Sequence, residues 1–146
     1  MQRFELNDNI YRSRPEWHTY GVSIEKRVPL TQRIIIDSWE FPNIMHNGAP
    51  VNQLAVTITS NLGTMDVDPS ASLQHRSSVL SGSGVKQIIF NRGENGWVPV
   101  NGVNSLNYQS KSMNFNFKLR MAVPNMGIVN VPLNPKHIWK LDVTIA

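Results

Sequence analysis

Four histidines, His18, His46, His75 and His137, are the residues of this 146-residue chain best suited to holding a metal ion or moving a proton near neutral pH. Their spacing speaks against both roles. No two fall at the interval that puts a ligand pair on one helix face, and there is no cysteine to complete a thiolate set. Folding could gather them, but scattered surface or capping histidines are the simpler reading. Asp66-Val67-Asp68 sets two carboxylates at alternate positions, as oxygen-rich calcium loops do. The downstream glutamate of such a loop is missing, so a turn whose Asp68 caps the next element accounts for the pattern. Ser81-Gly-Ser-Gly84 is glycine-rich but leads into a strand, whereas a phosphate cradle opens a helix whose amides hold the anion.

Acid–base and nucleophilic chemistry fare no better. The serines never form the Gly-x-Ser-x-Gly elbow that exposes a nucleophile. Asp37 and Glu40 are a conceivable acid pair for glycoside hydrolysis, but opposite phases on one strand send two side chains to opposite sheet faces. Phe115-Asn-Phe-Lys-Leu-Arg120 interleaves rings with cations as RNA-stacking strands do, yet both phenylalanines share phase with Leu119 and Met121, which favours burial. No catalytic residue, metal site or cofactor is expected, and the chain reads as a non-enzyme.

The elements that would position any site are strands. Period-two alternation recurs along the chain. From Met113 to Val123 six apolar residues in phase oppose Asn114, Asn116, Lys118 and Arg120, the pattern of a central core strand with its polar side toward solvent. Trp139, Leu141, Val143 and Ile145 alternate with Lys140, Asp142 and Thr144 in a final strand. Leu54 to Thr59 and Tyr20 to Ile24 alternate likewise, and Pro29 ends the latter. Arg33 to Phe41 carries Ile34-Ile35-Ile36, as a strand covered on both faces would. Val85–Phe90 and Trp97–Val103 flank Asn95-Gly96, whose positive φ angles suit a hairpin turn, and Pro99 marks the second arm as an edge. Ile128–Val131 follows a turn at Pro124–Gly127. One short helix could begin at Asp68-Pro69 and end at Gly82, although six serines between Ser70 and Ser83 leave irregular structure an equal alternative there. These elements predict one all-β domain, an antiparallel sandwich of about eight strands with at most one short helix.

Residues 1–18 carry Phe4, Leu6, Ile10, Tyr11 and Trp17, too few and too irregular for a strand or helix of their own. They are expected to form an extended arm that anchors on a neighbouring subunit, leaving 19–146 as the sandwich domain. No apolar run is long enough for a secretory signal or a membrane span, so synthesis in the cytoplasm without membrane insertion is expected. Charged residues make up 16% of the chain against about 25% in an average domain, and amides replace them. Such a surface repels its neighbours weakly. The net charge of +4 comes from residues 111–146, where Lys111, Lys118, Arg120, Lys136 and Lys140 face Asp142 alone. Without dense basic runs, this excess suits protein contacts better than nucleic acid, which remains a possible but unfavoured partner.

Two stretches together carry a family resemblance. Arg33-Ile-Ile-Ile-Asp-Ser-Trp-Glu-Phe-Pro-Asn43 is a hydrophobic strand closing in Glu-Phe-Pro-Asn, and downstream come the strands Met113–Val123 and Ile138–Ile145 around a turn. This order, covering about half the chain, resembles the single jelly-roll minor capsid and penton proteins of large icosahedral DNA viruses. The resemblance implies a jelly roll of eight strands, a homo-oligomer buried against other capsid subunits in a virion, and no enzymatic activity. The chain departs from the pattern in lacking a long basic N-terminal arm, which puts genome packaging in doubt. Phe4, Tyr11, Arg12, Arg14, Trp17, Lys118, Arg120 and Lys140 are the expected interface residues. A second reading is a carbohydrate- or receptor-binding module of a fibre or spike, with Trp17 and Trp97 as the exposed rings. A sandwich-type hydrolase is the third.

Overall fold

In the computed structural model the chain is described at residues 2–8, 12–14, 18–24, 31–60, 86–109, 114–132, 134 and 136–146, with the backbone alone at 12–14, 31, 32, 60 and 109. The described elements are β1 (Gln2–Leu6), β2 (Arg12–Arg14), β3 (Thr19–Ser23), β4 (Thr31–Glu40), β5 (Met45–His46), β6 (Ala49–Pro50), β7 (Gln53–Ser60), β8 (Lys86–Gly93), β9 (Gly96–Pro99), β10 (Ser105–Gln109), β11 (Asn114–Val123), β12 (Gly127–Asn130) and β13 (Lys140–Ile145). Helical structure among them is limited to a 3-10 turn at Val100–Gly102. The helix considered over 68–82 lies outside the described residues.

Setting aside the short β2, β5, β6, β9 and β12 leaves eight strands, and each pairs with its counterpart counted from the other end of the chain. β1 pairs with β13, β3 with β11, β4 with β10 and β7 with β8, all antiparallel. Two more pairings, β13 with β4 and β11 with β7, roll this long hairpin into two sheets. One sheet has the order β1-β13-β4-β10. The other runs β2-β3-β11-β7-β8-β9, with β12 also on β11. Eight strands rolled up in this way make a jelly roll, a double sheet of two Greek keys.

The packing follows from phase. On β11, Phe115, Phe117, Leu119, Met121 and Val123 are buried, and on β13 so are Leu141, Val143 and Ile145, with Trp139 just before it. Burying a side chain of this size stabilises by about 1.5–3 kcal/mol, so β11 alone offers as much as the whole net stability of a small domain, about 5–15 kcal/mol. Ring contacts join the two sheets. Tyr20 of β3 stacks on Trp139 at 4.4 Å, and its hydroxyl lies 2.6 Å from the Trp139 carbonyl. Tyr108 of β10 meets Phe115 of β11 edge-on at 5.4 Å. The Trp39 indole N–H donates to the Trp97 carbonyl at 2.7 Å.

The hairpin β8–β9 closes through Gly93 and Gly96, where Gly96 takes φ +123°, and β9 is an edge strand as Pro99 requires. The strand expected over Trp97–Val103 stops at Pro99, where the 3-10 turn begins.

Four expectations need correction. Residues 2–6 are not without structure of their own, because β1 forms five consecutive pairs with β13, from Gln2↔Ile145 to Leu6↔Leu141. Leu6 is buried and Phe4 packs against the core, so burial supplies what the weak local pattern lacks. Arg120 does not face solvent. It is 1% exposed, although it shares a strand face with half-buried Lys118. Trp97 is 9% exposed, in the core and not a surface ring, its indole set edge-on to Phe41 at 6.1 Å. Ile35 is only half-buried, so β4 is not fully covered on its outer side.

Two outcomes follow. Phe117→Asp should abolish cooperative unfolding by burying an unpaired charge in β11, while Lys118→Ala should leave a cooperative transition within about 1 kcal/mol of wild type; circular dichroism melts of both test the phase. Leu6→Ala should cost about 2–5 kcal/mol in denaturant unfolding. A free arm would show no change.

Candidate functional site

The expected interface residues do not converge. Lys118 and Arg120 lie on β11 in the larger sheet, whereas Lys140 is exposed on β13 in the smaller one. Phe4 sits on β1, half-buried and turned to the core. Arg12 and Arg14 belong to the backbone of β2, paired with Tyr20 and Thr19, and Tyr11 and Trp17 lie outside the described residues. The basic excess of the C-terminal quarter is therefore divided between opposite sides of the sandwich.

The outer side of the smaller sheet gathers carboxylates that sequence phase had separated. Asp142 pairs with Ser38 and Val143 with Ile36, which leaves Asp37 as the extra residue of a β-bulge. The bulge resets the alternation, so Asp37, Ser38 and Glu40 are all exposed on one face while Ile36 is buried and Trp39 packs on the core. Asp37 and Glu40 thus share a side, contrary to the phase argument. The Thr144 hydroxyl donates to Asp37, and the Ser38 hydroxyl donates to Asp142. Glu5 stands directly across from Asp142, and Glu40 across from Lys140. Glu5, Ser38, Glu40, Lys140 and Asp142, with Leu6, Asn7, Trp39 and Leu141, line an open cleft of about 460 Å³. Hydroxyls already hold Asp37 and Asp142, and Glu40 stands across from Lys140. That arrangement orders a polar surface.

A second cluster forms where β3 and β12 follow one another end to end along the same edge of β11. Leu119 donates its amide hydrogen to the His18 carbonyl at 3.1 Å, and His18 takes φ +46° to make the contact. His18 Nε2 lies 3.3 Å and His137 Nδ1 3.2 Å from the same carbonyl, that of Pro132. The two imidazoles stand 6.4 Å apart. Folding does gather two of the four histidines, then, around a backbone oxygen. Among the described residues no three of His, Asp and Glu come together as a metal set.

Next to this junction, Arg120 is paired in register with Asn130 of β12 and Ala55 of β7. Its Nη2 donates to Asn130 Oδ1 at 3.1 Å, and its Nε and Nη1 have no acceptor among the described residues. Thr57, Ala55 and Ile128 share that outer face and are also buried. Sequence phase assigned the face correctly but not its depth, because alternation records direction, not cover.

No protein-family model matches the chain, and the search of curated proteins finds no similar sequence. Its class is the one its fold defines, an all-β antiparallel sandwich.

Like charges directly opposite on a sheet destabilise it. Glu5→Gln should therefore raise stability by about 0.2–1 kcal/mol at low ionic strength, a gain that fades above roughly 0.5 M salt as screening shortens its range. Paired denaturant titrations at two salt concentrations measure it.

Proposed function

We propose that the chain is a structural subunit of a virus particle, a jelly-roll capsid component of the minor-capsid or penton kind that works through protein–protein contacts. The strand order carries the reading: β1-β13-β4-β10 laid on β3-β11-β7-β8 is the rolled hairpin characteristic of viral capsid domains, which lectin-type and cupin folds share. Fold alone does not assign function, so the surface must support it. The outermost strand β9 ends the larger sheet and leaves backbone groups for pairing, with Val98 on it 54% exposed. Val103, equally exposed, leads into the edge strand β10 of the smaller sheet. Met45, on the short strand β5, and Met126, in the β11–β12 turn, are also exposed. Apolar side chains at sheet edges and turn tips, on a surface poor in charge, suit burial against neighbouring subunits.

The carbohydrate-binding alternative loses one of its two rings, since Trp97 is buried. A polar cleft remains to it, lined by Ser38, Glu40, Lys140 and Asp142. Sedimentation and light scattering of the purified chain decide between them. The capsid reading expects closed oligomers or shells that Val98→Asp with Val103→Asp returns to monomers without lowering the melting temperature. A strict monomer at high concentration that binds glycans would replace it with the alternative.

A further inference from the structure

We propose that Arg120, with Asn130 and Thr57, forms an enclosed site for one small free oxyanion of the phosphate type. A guanidinium remains charged at any pH a folded protein survives, so burial cannot be relieved by losing the proton. Arg120 is 1% exposed, and one neutral amide oxygen, Asn130 Oδ1, is its hydrogen-bond acceptor among the described residues. Nε and Nη1 are buried without one. A second unsatisfied donor lies close by on the same face. Thr57, 3% exposed and with a buried hydroxyl that has no partner among the described residues, sits two residues along β7 from Ala55, which pairs with Arg120. Diagonal neighbours on a sheet face stand roughly 7–8 Å apart, within reach of an arginine.

The described positions on that face supply no negative charge. Around Arg120 the same face carries Lys118 and Ala122 on β11, Ala55 and Thr57 on β7, and Ile128 and Asn130 on β12. Of the described carboxylates, Glu5, Asp37, Glu40 and Asp142 stand on the other sheet, Asp8 accepts from the Tyr20 hydroxyl and Glu94 lies in the β8–β9 turn. Buried charges without a partner are rare because they are costly, and a bound anion would satisfy guanidinium and hydroxyl together through charge-assisted hydrogen bonds. Near-complete burial favours a small free ion over a phosphate in a polymer, whose flanking groups would need room. The site is independent of the subunit role and would be present in a monomer.

The test uses the full chain in sodium phosphate and in sodium chloride at equal ionic strength. Phosphate should raise the wild-type melting temperature along a saturating curve, by about 5–10 °C at a hundredfold excess over its Kd. Arg120→Met removes the buried charge while keeping much of the volume. It should melt in chloride no lower than wild type, and in phosphate it should show only the small, non-saturating rise that any excluded salt produces. Should Arg120→Met fail to fold, Thr57→Val serves in its place, and calorimetric titration with phosphate should show several-fold weaker binding than wild type. A wild type that responds to phosphate no more than to chloride overturns the proposal. So does an Arg120-dependent affinity for a single-stranded oligonucleotide without any for free phosphate, which would make the group a nucleic-acid contact.

Discussion

Each sheet of this protein has one apolar face, and the structure depends on laying those two faces together. The apolar row of β11 cannot be buried by its neighbours in the same sheet, because they point the same way. It needs the row of β13 and the rings of the opposite layer. The contacts of Tyr20 with Trp139, Tyr108 with Phe115 and Trp39 with the Trp97 carbonyl are made across that gap. A rolled hairpin meets this demand, because β3 and β11 leave for one layer while β4 and β10 go to the other. Almost every contact that matters then joins residues distant in the chain, as in the pairing of residue 2 with residue 145. Such a fold gains little from local propensity and is expected to form slowly.

Long, clean alternation made the strands legible. In β7, β11 and β13 the inward phase read from sequence is the phase observed, since a strand with one face against a core must repeat every two residues. Where the signal was short, the sequence was silent. β1 has only Phe4 and Leu6 to show, and its place is set by β13, not by its own residues. β10, Ser105–Gln109, holds Leu106 and Tyr108 among polar residues and was not distinguished from a loop. Asn47-Gly48, with φ +50° and +78°, turns the small β5–β6 hairpin and carried the same Asn-Gly signal as Asn95-Gly96, but its two-residue arms gave no alternation to support it.

Two features were illegible for a deeper reason. A bulge inserts one residue without changing composition, so nothing in Ile36-Asp-Ser-Trp39 announces that Asp37 and Ser38 share a side. That Asp37 and Glu40 share the outer side of the smaller sheet followed from that single insertion. Arg120 was read as solvated because arginine generally is. Its burial comes from cover that no strand-level pattern encodes, and only its unsatisfied nitrogens show that the position is unusual. Both misreadings concern outer faces, where the hydrophobic rule is weakest.

The pairing of β1 with β13 also sets how the domain would respond to mechanical load. Residues 2 and 145 lie opposite each other at one end of this antiparallel pair, so a pull on the two ends would open it like a zipper, one bond pair at a time. Shear, in which all the bonds of a ladder resist at once, would need the load applied at opposite ends of the strands. The ladder would then yield at low force from residue 2 toward residue 6, uncovering first the strand that ties the chain's end into the core. A domain held by its ends would be soft along that axis, and one held by its sheet faces would be stiff.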